Sequence, residues 1–154
     1  MTRLWLVRHG PTHAKAMIGW TDLPADLTDT AKVSRLRDAL PDAPIVSSDL
    51  LRAVQTADAL SPQVRLQHDH RLREINFGEW DGKTFFEAEK THPKLIRAYW
   101  ETPGDVAPPQ GESWNDVRAR VDGAIDAHLA EQPEDLIVVA HFGAILTQVQ
   151  RAMG

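Results

Sequence analysis

Short apolar runs alternate with amphipathic stretches along most of this chain. Residues 4–7 (LWLV), 44–46 (PIV) and 135–140 (DLIVVA) are rich in consecutive apolar side chains. Such runs are typical of strands that are buried on both faces of a sheet. Residues 64–67 (VRLQ) are a weaker candidate for a further strand. The pattern therefore predicts three or four short strands that are far apart in sequence.

Helices are predicted between and after these strands. Thr28 is placed to cap the first helix, because a threonine side chain can accept a hydrogen bond from a free backbone amide. Ser113 and Asp116 have the spacing of a helix cap with an acidic residue in the first turn. The predicted helices cover residues 29–40, 50–60 and 83–100, the stretch from Ser113 to 131, and residues 143–152.

Strands that alternate with helices predict an α/β fold. The expected architecture is a three-layer sandwich with a mainly parallel central sheet flanked by helices. We find no repeat, low-complexity segment or composition shift, so residues 1–154 are expected to form a single domain. Residues 101–113 are rich in proline and glycine and predict a surface loop. Residues 81–112 as a whole are expected to act as a lid or insert.

Polar residues follow each of the three predicted strands at the point where the strand ends. Arg8 and His9 follow the first strand, Ser47 and Ser48 end the second, and His141 follows the last. The carboxyl ends of parallel strands lie at one edge of the sheet, which is where ligands bind in such folds. We therefore expect these side chains to converge in one pocket.

The residue types at this edge favour phosphoryl chemistry. Arg52, in the first turn of the helix after the second strand, would join Arg8, and a guanidinium fork matches the paired oxygens of a phosphate or carboxylate. Neutral imidazole is a nucleophile, and its ordinary pKa of about 6.5 leaves much of it unprotonated near neutral pH. Glu74 precedes a loop that contains glycine, and we expect its carboxyl group to donate the proton to the leaving oxygen.

Each of these residues also has a purely structural interpretation. A histidine after a strand is more often a hydrogen-bonded structural residue, an arginine on a helix is usually solvated, and Glu74 could be a surface acid. Only their joint placement at one sheet edge favours catalysis. Residues 68–70 (HDH) are weak evidence for a metal site, so no metal is expected.

Composition and charge narrow the function classes. The formal net charge of −5 argues against nucleic-acid or anionic-membrane partners, which select cationic surfaces. The chain has no cysteine, which excludes disulfides and thiolate metal sites. No segment has the length of an apolar transmembrane helix, and the N-terminus lacks a signal-peptide pattern. A cytoplasmic location is expected.

Five motifs, in this order, resemble those of the histidine phosphatase superfamily, which includes phosphoglycerate mutases and α-ribazole phosphatase. They span nearly the whole chain. The motifs are LVRHGPT at 6–12, SSDLLRAVQTA at 47–57, LREINFGEWDG at 72–82, GES at 111–113 and VVAHFGAI at 138–145.

The resemblance implies a phosphoglycerate mutase-like fold and assigns a role to each residue of the pocket. It implies that His9 is the nucleophile and forms a phosphohistidine. It implies that Arg8, Arg52 and His141 hold the phosphoryl group and that Glu74 protonates the leaving group. It also implies a reaction that needs neither a metal nor another cofactor.

Other positions concern the substrate. By the same resemblance Thr12 lies near the phosphate, with a structural capping role as the alternative. Phe142 is placed with the substrate-binding residues, although small residues are usual there in the family, and Lys15 stands where asparagine is common. Four tryptophans in or beside loops either line an apolar subsite or pack the core: Trp20, Trp80, Trp100 and Trp114.

The leading expectation is a phosphomonoesterase that acts on a small phosphorylated metabolite, with α-ribazole phosphate as one candidate. A 2,3-bisphosphoglycerate-dependent mutase is the nearest alternative, but those proteins are generally longer. A non-catalytic phosphate-binding module is the other alternative. Relatives usually continue beyond the position of Gly154 with a further strand or helix, so this chain is expected to be either a minimal version that lacks these C-terminal elements or an incomplete chain. An unprotected sheet edge would then favour a homodimer or a low stability.

Overall fold

Three parallel strands form the central sheet of the computed structural model, which describes all 154 residues. They are β1 (Arg3–Arg8), β2 (Ile45–Ser47) and β3 (Asp135–Ala140), and their order across the sheet is β1-β3-β2. Both pairings are parallel, as predicted. β3 is central because it pairs with β1 on one side and β2 on the other. Its residues from Leu136 onward are all buried, which requires cover on both faces of the sheet.

Six helices surround the sheet and complete the three layers. α1 and α2 pack on one face, where Ala53 and Ala57 contact a cluster that includes Val7 and Val139. α4, α5 and α6 contribute to the larger cluster on the other face. The predicted three-layer α/β fold is confirmed. The helices are α1 (Thr30–Ala39), α2 (Leu51–Ala59), α3 (Phe85–Thr91), α4 (Pro93–Glu101), α5 (Trp114–Leu129) and α6 (Phe142–Met153).

The single helix predicted over residues 83–100 is wrong, because the structure has two helices there. α3 ends at Thr91, and α4 begins at Pro93. Proline lacks an amide hydrogen and disfavours helical backbone at the preceding residue, and His92 accordingly has φ −138° and ψ 60°. Ile96 of α4 is buried in the core. Part of the predicted lid or insert over residues 81–112 therefore packs against the core.

Two smaller predictions also need correction. Residues 64–67 do not form a strand, since the sheet gains only one isolated parallel bridge there, between Ile45 and Arg65. Asp29, not Thr28, caps α1, because the Asp29 side chain accepts a hydrogen bond from the amide of Lys32. A carboxylate at this position also interacts favourably with the helix dipole.

The predicted cap of α5 is confirmed. The Ser113 side chain accepts a hydrogen bond from the Asp116 amide, and the Asp116 carboxylate accepts one from the Ser113 amide, at 3.1 Å and 3.0 Å. The reciprocal pair satisfies two amides that a helix start would otherwise leave free. None of the helices is both long enough and apolar enough to span a bilayer.

Candidate active site

The ends of the three strands meet at one edge of the sheet. Arg8 lies opposite Ala140 in the register, and the His9 amide continues the ladder by donating to the Ala140 carbonyl at 3.1 Å. On the other side of β3, the Ser48 amide donates to the Val139 carbonyl at 3.2 Å. The ring centroids of His9 and His141 are consequently 5.2 Å apart.

His9 is held with one ring nitrogen occupied. Its Nδ1 lies 2.6 Å from the carbonyl oxygen of Gly10, and a carbonyl can only accept, so Nδ1 carries the proton. The other nitrogen, Nε2, then bears the lone pair in the neutral ring. Gly10 is itself anchored, because its amide donates to the Thr56 hydroxyl of α2 at 2.9 Å. The backbone thus selects the tautomer in which Nε2 can act as a nucleophile.

The surroundings of His9 keep it neutral. Burial lowers its pKa to about 4, and the positive charges of Arg52 and Arg8 lower it further, whereas the Gly10 carbonyl partly offsets these effects. An imidazole with this pKa is almost entirely unprotonated at neutral pH. The Nε2 lone pair is therefore available for attack on an electrophile.

His141 is fully buried and is oriented by Ser48. The Ser48 hydroxyl accepts a hydrogen bond from the Leu50 amide at 3.4 Å and lies 2.7 Å from Nε2 of His141. The Ser48 hydroxyl can therefore donate its own proton to Nε2 of His141. The imidazole proton of His141 then lies on Nδ1. Nδ1 has no partner in the protein although it is buried. A buried donor without a partner is costly, and a bound oxyanion would satisfy it.

The same burial keeps His141 uncharged. Burial lowers the pKa of His141 well below its ordinary value, and the positive charge of Arg52 acts in the same direction. His141 is then a neutral single donor at its Nδ1. A neutral donor binds a phosphoryl oxygen without protonating it.

Arg52 places a positive charge in the interior of the site. Only 1% of its surface is exposed. It forms no ion pair. Instead, its Nη1 and Nη2 donate to the carbonyls of Thr21 and Gly19 at 2.8 Å and 2.6 Å. Burial lowers the pKa of the guanidinium, and more distant carboxylates only partly compensate. A buried cation that lacks a counter-ion is costly, and a bound anion would offset that cost.

The loop that holds Arg52 is built for close packing. The Gly19 amide and the Thr21 hydroxyl both donate to the carboxylate of Asp81. A side chain at Gly19 would collide with the carbonyl oxygen of Ile75, so only glycine fits there. Arg52 is thereby held by backbone carbonyls of a loop that packs closely against Ile75.

Arg8 and Phe142 lie at the mouth of the site. Both side chains are exposed, and the Arg8 guanidinium lies 5.7 Å from the centroid of the Phe142 ring. That distance is within the range of a cation–π contact. Arg8 makes no ion pair, so its donors remain available to a ligand.

Glu74 is a buried carboxyl group at the start of α6. Its Oε1 accepts from the Ile75 amide at 2.9 Å and its Oε2 from the Gly143 amide at 3.0 Å. Burial raises the pKa of Glu74, although these amides and the charge of Arg52 oppose the shift. A carboxyl group with a raised pKa can hold a proton and donate it to a leaving oxygen.

Gly143 is required by this arrangement. A Cβ atom at Gly143 would lie 2.5 Å from Oε1 of Glu74 and 3.1 Å from Cδ1 of Ile75. The carboxyl group would have to move away from the amide that binds it. The Glu74 carboxyl group can thus occupy its position only because residue 143 is glycine.

Arg120 of α5 positions the Glu74 segment and was not predicted from the sequence. Its guanidinium donates to three backbone carbonyls, those of Arg71, Arg73 and Glu74, at 2.7–3.0 Å. It also forms a two-point ion pair with Glu112, which in turn accepts from the Asn76 amide. Arg120 lies 46 residues after Glu74 in the sequence, so no local sequence pattern indicates these contacts.

The other predicted residues make the following contacts. The Thr12 hydroxyl accepts a long 3.4 Å hydrogen bond from the Ala14 amide, and its role near the phosphate stays a prediction. Asp69, in the HDH segment, is paired with Arg71 and with His128. Trp80 is fully buried in the core. Trp20 donates from its indole nitrogen to the Glu74 carbonyl at 2.9 Å.

Two grooves adjoin the site. The first, the polar groove, has a volume of about 470 Å³ and is lined by residues that include Arg8, His9, His13, Asp26, Asp29 and Lys32. The second, the aromatic groove, has a volume of about 240 Å³ and is lined by residues that include Glu74, Trp100, Trp114, Phe142, Gly143 and Leu146. The nucleophile candidate therefore borders one groove and the acid candidate borders the other.

Comparison with known proteins agrees with the motifs. The sequence model described as histidine phosphatase superfamily (branch 1) matches residues 4–154. A glucosyl-3-phosphoglycerate phosphatase of Mycolicibacterium vanbaalenii is 34% identical over 170 residues, which cover 99% of this chain and 74% of that protein. A bifunctional protein of Mycobacterium tuberculosis is 32% identical over 163 residues. The match covers 96% of this chain, which spans only 40% of the length of that relative.

The fold is also similar to solved structures. A putative alpha-ribazole-5'-P phosphatase from Escherichia coli K-12 superposes with a TM-score of 0.86 at 25% sequence identity. The superposition covers 99% of this chain and 80% of that protein. The similarity therefore includes all the elements that carry the site described above.

Proposed function

Because the chain belongs to the histidine phosphatase superfamily, we propose that it hydrolyses small phosphate monoesters through a phosphohistidine on His9. One observation carries this proposal more than any other. The free Nε2 of a neutral His9 lies beside a buried guanidinium, Arg52, that has no counter-ion. A nucleophile next to an unpaired cation suits an anionic electrophile, and phosphoryl groups are such electrophiles.

The first step transfers the phosphoryl group to His9. Nε2 attacks phosphorus while Arg52, Arg8 and Nδ1–H of His141 stabilise the charge on the non-bridging oxygens. The bond between phosphorus and the ester oxygen breaks, and the departing oxygen takes the proton of Glu74. Because Nδ1 of His9 donates to the Gly10 carbonyl, that hydrogen bond supports the positive charge that develops on the ring.

The second step regenerates the enzyme. Water attacks phosphorus, the Nε2–phosphorus bond breaks, and the Glu74 carboxylate takes a proton from the water. Inorganic phosphate is released with His9 neutral and Glu74 protonated, as at the start. Glu74 thus serves as the acid in one step and the base in the other.

Two findings support hydrolysis among the alternatives. The relative from Mycolicibacterium vanbaalenii and the similar Escherichia coli structure are both named as phosphatases. A mutase would instead return the phosphoryl group to an acceptor, and addition of 3-phosphoglycerate as an acceptor separates the two activities. The cytoplasmic location, the homodimer and the lack of nucleic-acid partners stay predictions.

We expect the pKa of the His9 imidazole to lie far below that of an ordinary histidine. Burial and the neighbouring arginines lower its pKa to about 4, so the ring stays neutral and nucleophilic as the pH falls from 7, and it is protonated only near pH 4. The measurement is an NMR titration of the histidine ring signals, with the His9 signal assigned by its loss in His9→Asn. A midpoint near 6.5 would contradict the described environment.

Replacement of Glu74 by glutamine tests the proposed acid. With an alkyl ester such as 2-phenylethyl phosphate, Glu74→Gln is expected to lower kcat/KM, which reports the step that releases the alcohol, by about 10²- to 10⁴-fold, the usual contribution of a general acid. With 4-nitrophenyl phosphate, whose leaving group departs without a proton, the loss is expected to be much smaller. Both assays contain EDTA, because the proposed reaction uses no metal.

A matched control is available in the same segment. Glu79 is exposed, and Glu79→Gln is expected to leave both rates unchanged. Equal losses with the two esters in Glu74→Gln would contradict an acid role. Folded wild-type protein that hydrolyses neither ester in EDTA would contradict the proposed function itself.

A further inference from the structure

We infer that the site takes monoesters whose leaving group has an apolar, aromatic body, and that it discriminates against leaving groups that carry a carboxylate or a second phosphate. This inference rests on the proposed function and names its substrate class. It depends on the aromatic groove, which adjoins the phosphoryl site through Glu74, Phe142 and Gly143.

The geometry of displacement places the leaving group in the aromatic groove. In phosphoryl transfer the attacking and leaving atoms lie roughly in line on opposite sides of phosphorus. His9, the attacking group, lines the polar groove, and Glu74, the proton donor, lines the aromatic groove. The rest of the alcohol must therefore lie beside Glu74 and away from His9.

The lining of this groove favours uncharged, apolar groups. Seven of its eleven residues are hydrophobic, and Glu74 is its only charged residue. A carboxylate or phosphate there would find no lysine, arginine or histidine among the lining residues. Arg8, which lies over Phe142, is engaged by the phosphoryl group in the proposed reaction. The carboxylate or phosphate would also lie near a carboxyl group that is negative after it has donated its proton. Such a ligand would lose its hydration without compensation.

The aromatic residues present their rings to this space. Trp100 is 51% exposed and Phe142 is 60% exposed, and both line the same groove, so together they form an apolar surface that a ligand can reach. They are nonetheless held in place. Trp100 packs edge-on against Tyr99 at 5.3 Å and 84°, and Phe142 lies beneath the Arg8 guanidinium. Rings fixed in this way provide a surface for another ring.

The size of the groove limits the leaving group to a small body. Its volume is about 240 Å³. A cavity of roughly 150 Å³ holds one benzene ring, so the groove suits one or two rings. A long chain or a large polar glycoside would extend beyond it. The inference thus separates this chain from its glucosyl-3-phosphoglycerate phosphatase relative, whose named substrate carries a carboxylate and a sugar.

The test compares two primary alkyl phosphates, 2-phenylethyl phosphate and 3-phosphoglycerate. Both release a primary alcohol oxygen, so the chemistry at phosphorus is matched and the body of the leaving group differs. We expect kcat/KM to be about 10- to 100-fold higher for the phenylethyl ester, as the burial of one aromatic ring predicts. The polar groove is tested separately with Lys32→Ala, which is expected to leave this ratio unchanged.

Variants at Trp100 assign the preference to the groove. Trp100→Ala is expected to lower kcat/KM for the phenylethyl ester about 10-fold and to leave 3-phosphoglycerate unaffected. Trp100→Lys puts a cation in the groove and is expected to raise kcat/KM for 3-phosphoglycerate. Phe86 of α3 is 74% exposed and does not line the groove, so Phe86→Ala and Phe86→Lys are the matched controls.

The outcomes separate this inference from the function on which it rests. A wild-type enzyme that prefers 3-phosphoglycerate, or a preference that changes with Lys32→Ala and not with Trp100→Ala, overturns the inference and leaves the phosphatase intact. Equal losses with both esters in Trp100→Ala also overturn it. Hydrolysis of neither ester by folded protein overturns the proposed function and the inference together.

Discussion

Replacement of His9 by alanine is expected to lower kcat with every phosphomonoester by roughly 10⁴-fold or more, as the loss of a covalent nucleophile does in other enzymes. Alanine has no group that can accept the phosphoryl. Direct attack by water would have to replace both steps. The measurement is steady-state hydrolysis of 4-nitrophenyl phosphate in EDTA.

Binding should survive this replacement. Arg8, Arg52 and His141 remain in His9→Ala, so the Kd for inorganic phosphate is expected to change far less than kcat. His70→Ala, at an exposed histidine outside the site, is the control and should retain wild-type activity. Wild-type turnover in His9→Ala would show that His9 does not take part in the reaction.

Replacement of Arg52 by methionine is expected to lower kcat/KM by about 10³-fold, the lower end of what an arginine contributes to the transition state of phosphoryl transfer. Arg52 supplies the only buried positive charge of the site. Methionine keeps most of the length of the side chain but donates to neither Gly19 nor Thr21. The variant therefore loses both the charge and the contacts that hold the loop.

Phosphate binding provides an independent measurement on Arg52→Met. A ligand that binds only the folded state at one hundred times its Kd stabilises a protein by about 2.7 kcal/mol. Thermal melting with that phosphate concentration should show the stabilisation in wild type and little of it in Arg52→Met. Arg35 is exposed on α1, and Arg35→Met should behave as wild type. An undiminished phosphate effect in Arg52→Met would exclude Arg52 as an anion-binding group.

The sequence predicted the parts of the fold that depend on local pattern. β3 was recognised because DLIVVA is apolar without alternation, and the parallel sheet followed from strands separated by helices. His9 and His141 could be placed together because each follows a strand. Once the sheet is parallel, the distance of 132 residues between them along the chain no longer matters.

What the sequence did not predict depends on tertiary contacts. Arg120 acts on carbonyls of a segment far away in the chain. Ser48 was expected at the same sheet edge as His141, but its hydrogen bond to Nε2 of His141 was not predicted. Neither contact has a spacing that could be recognised in advance. Residues 64–67 have the composition of a strand, but they make only one bridge at the edge of β2. Local preference alone does not decide such a segment.

The central claim is that phosphate is transferred to His9, and the most direct test is to trap the intermediate. Wild-type enzyme is mixed with a ³²P-labelled monoester, quenched in alkali, in which phosphohistidine survives, and digested to locate the label. The account predicts label on the peptide that contains His9, absent from His9→Ala and lost after acid treatment. Label on a residue other than His9, or turnover of saturating labelled ester by the wild type with no label on the protein at any quench time from milliseconds onward, would contradict it.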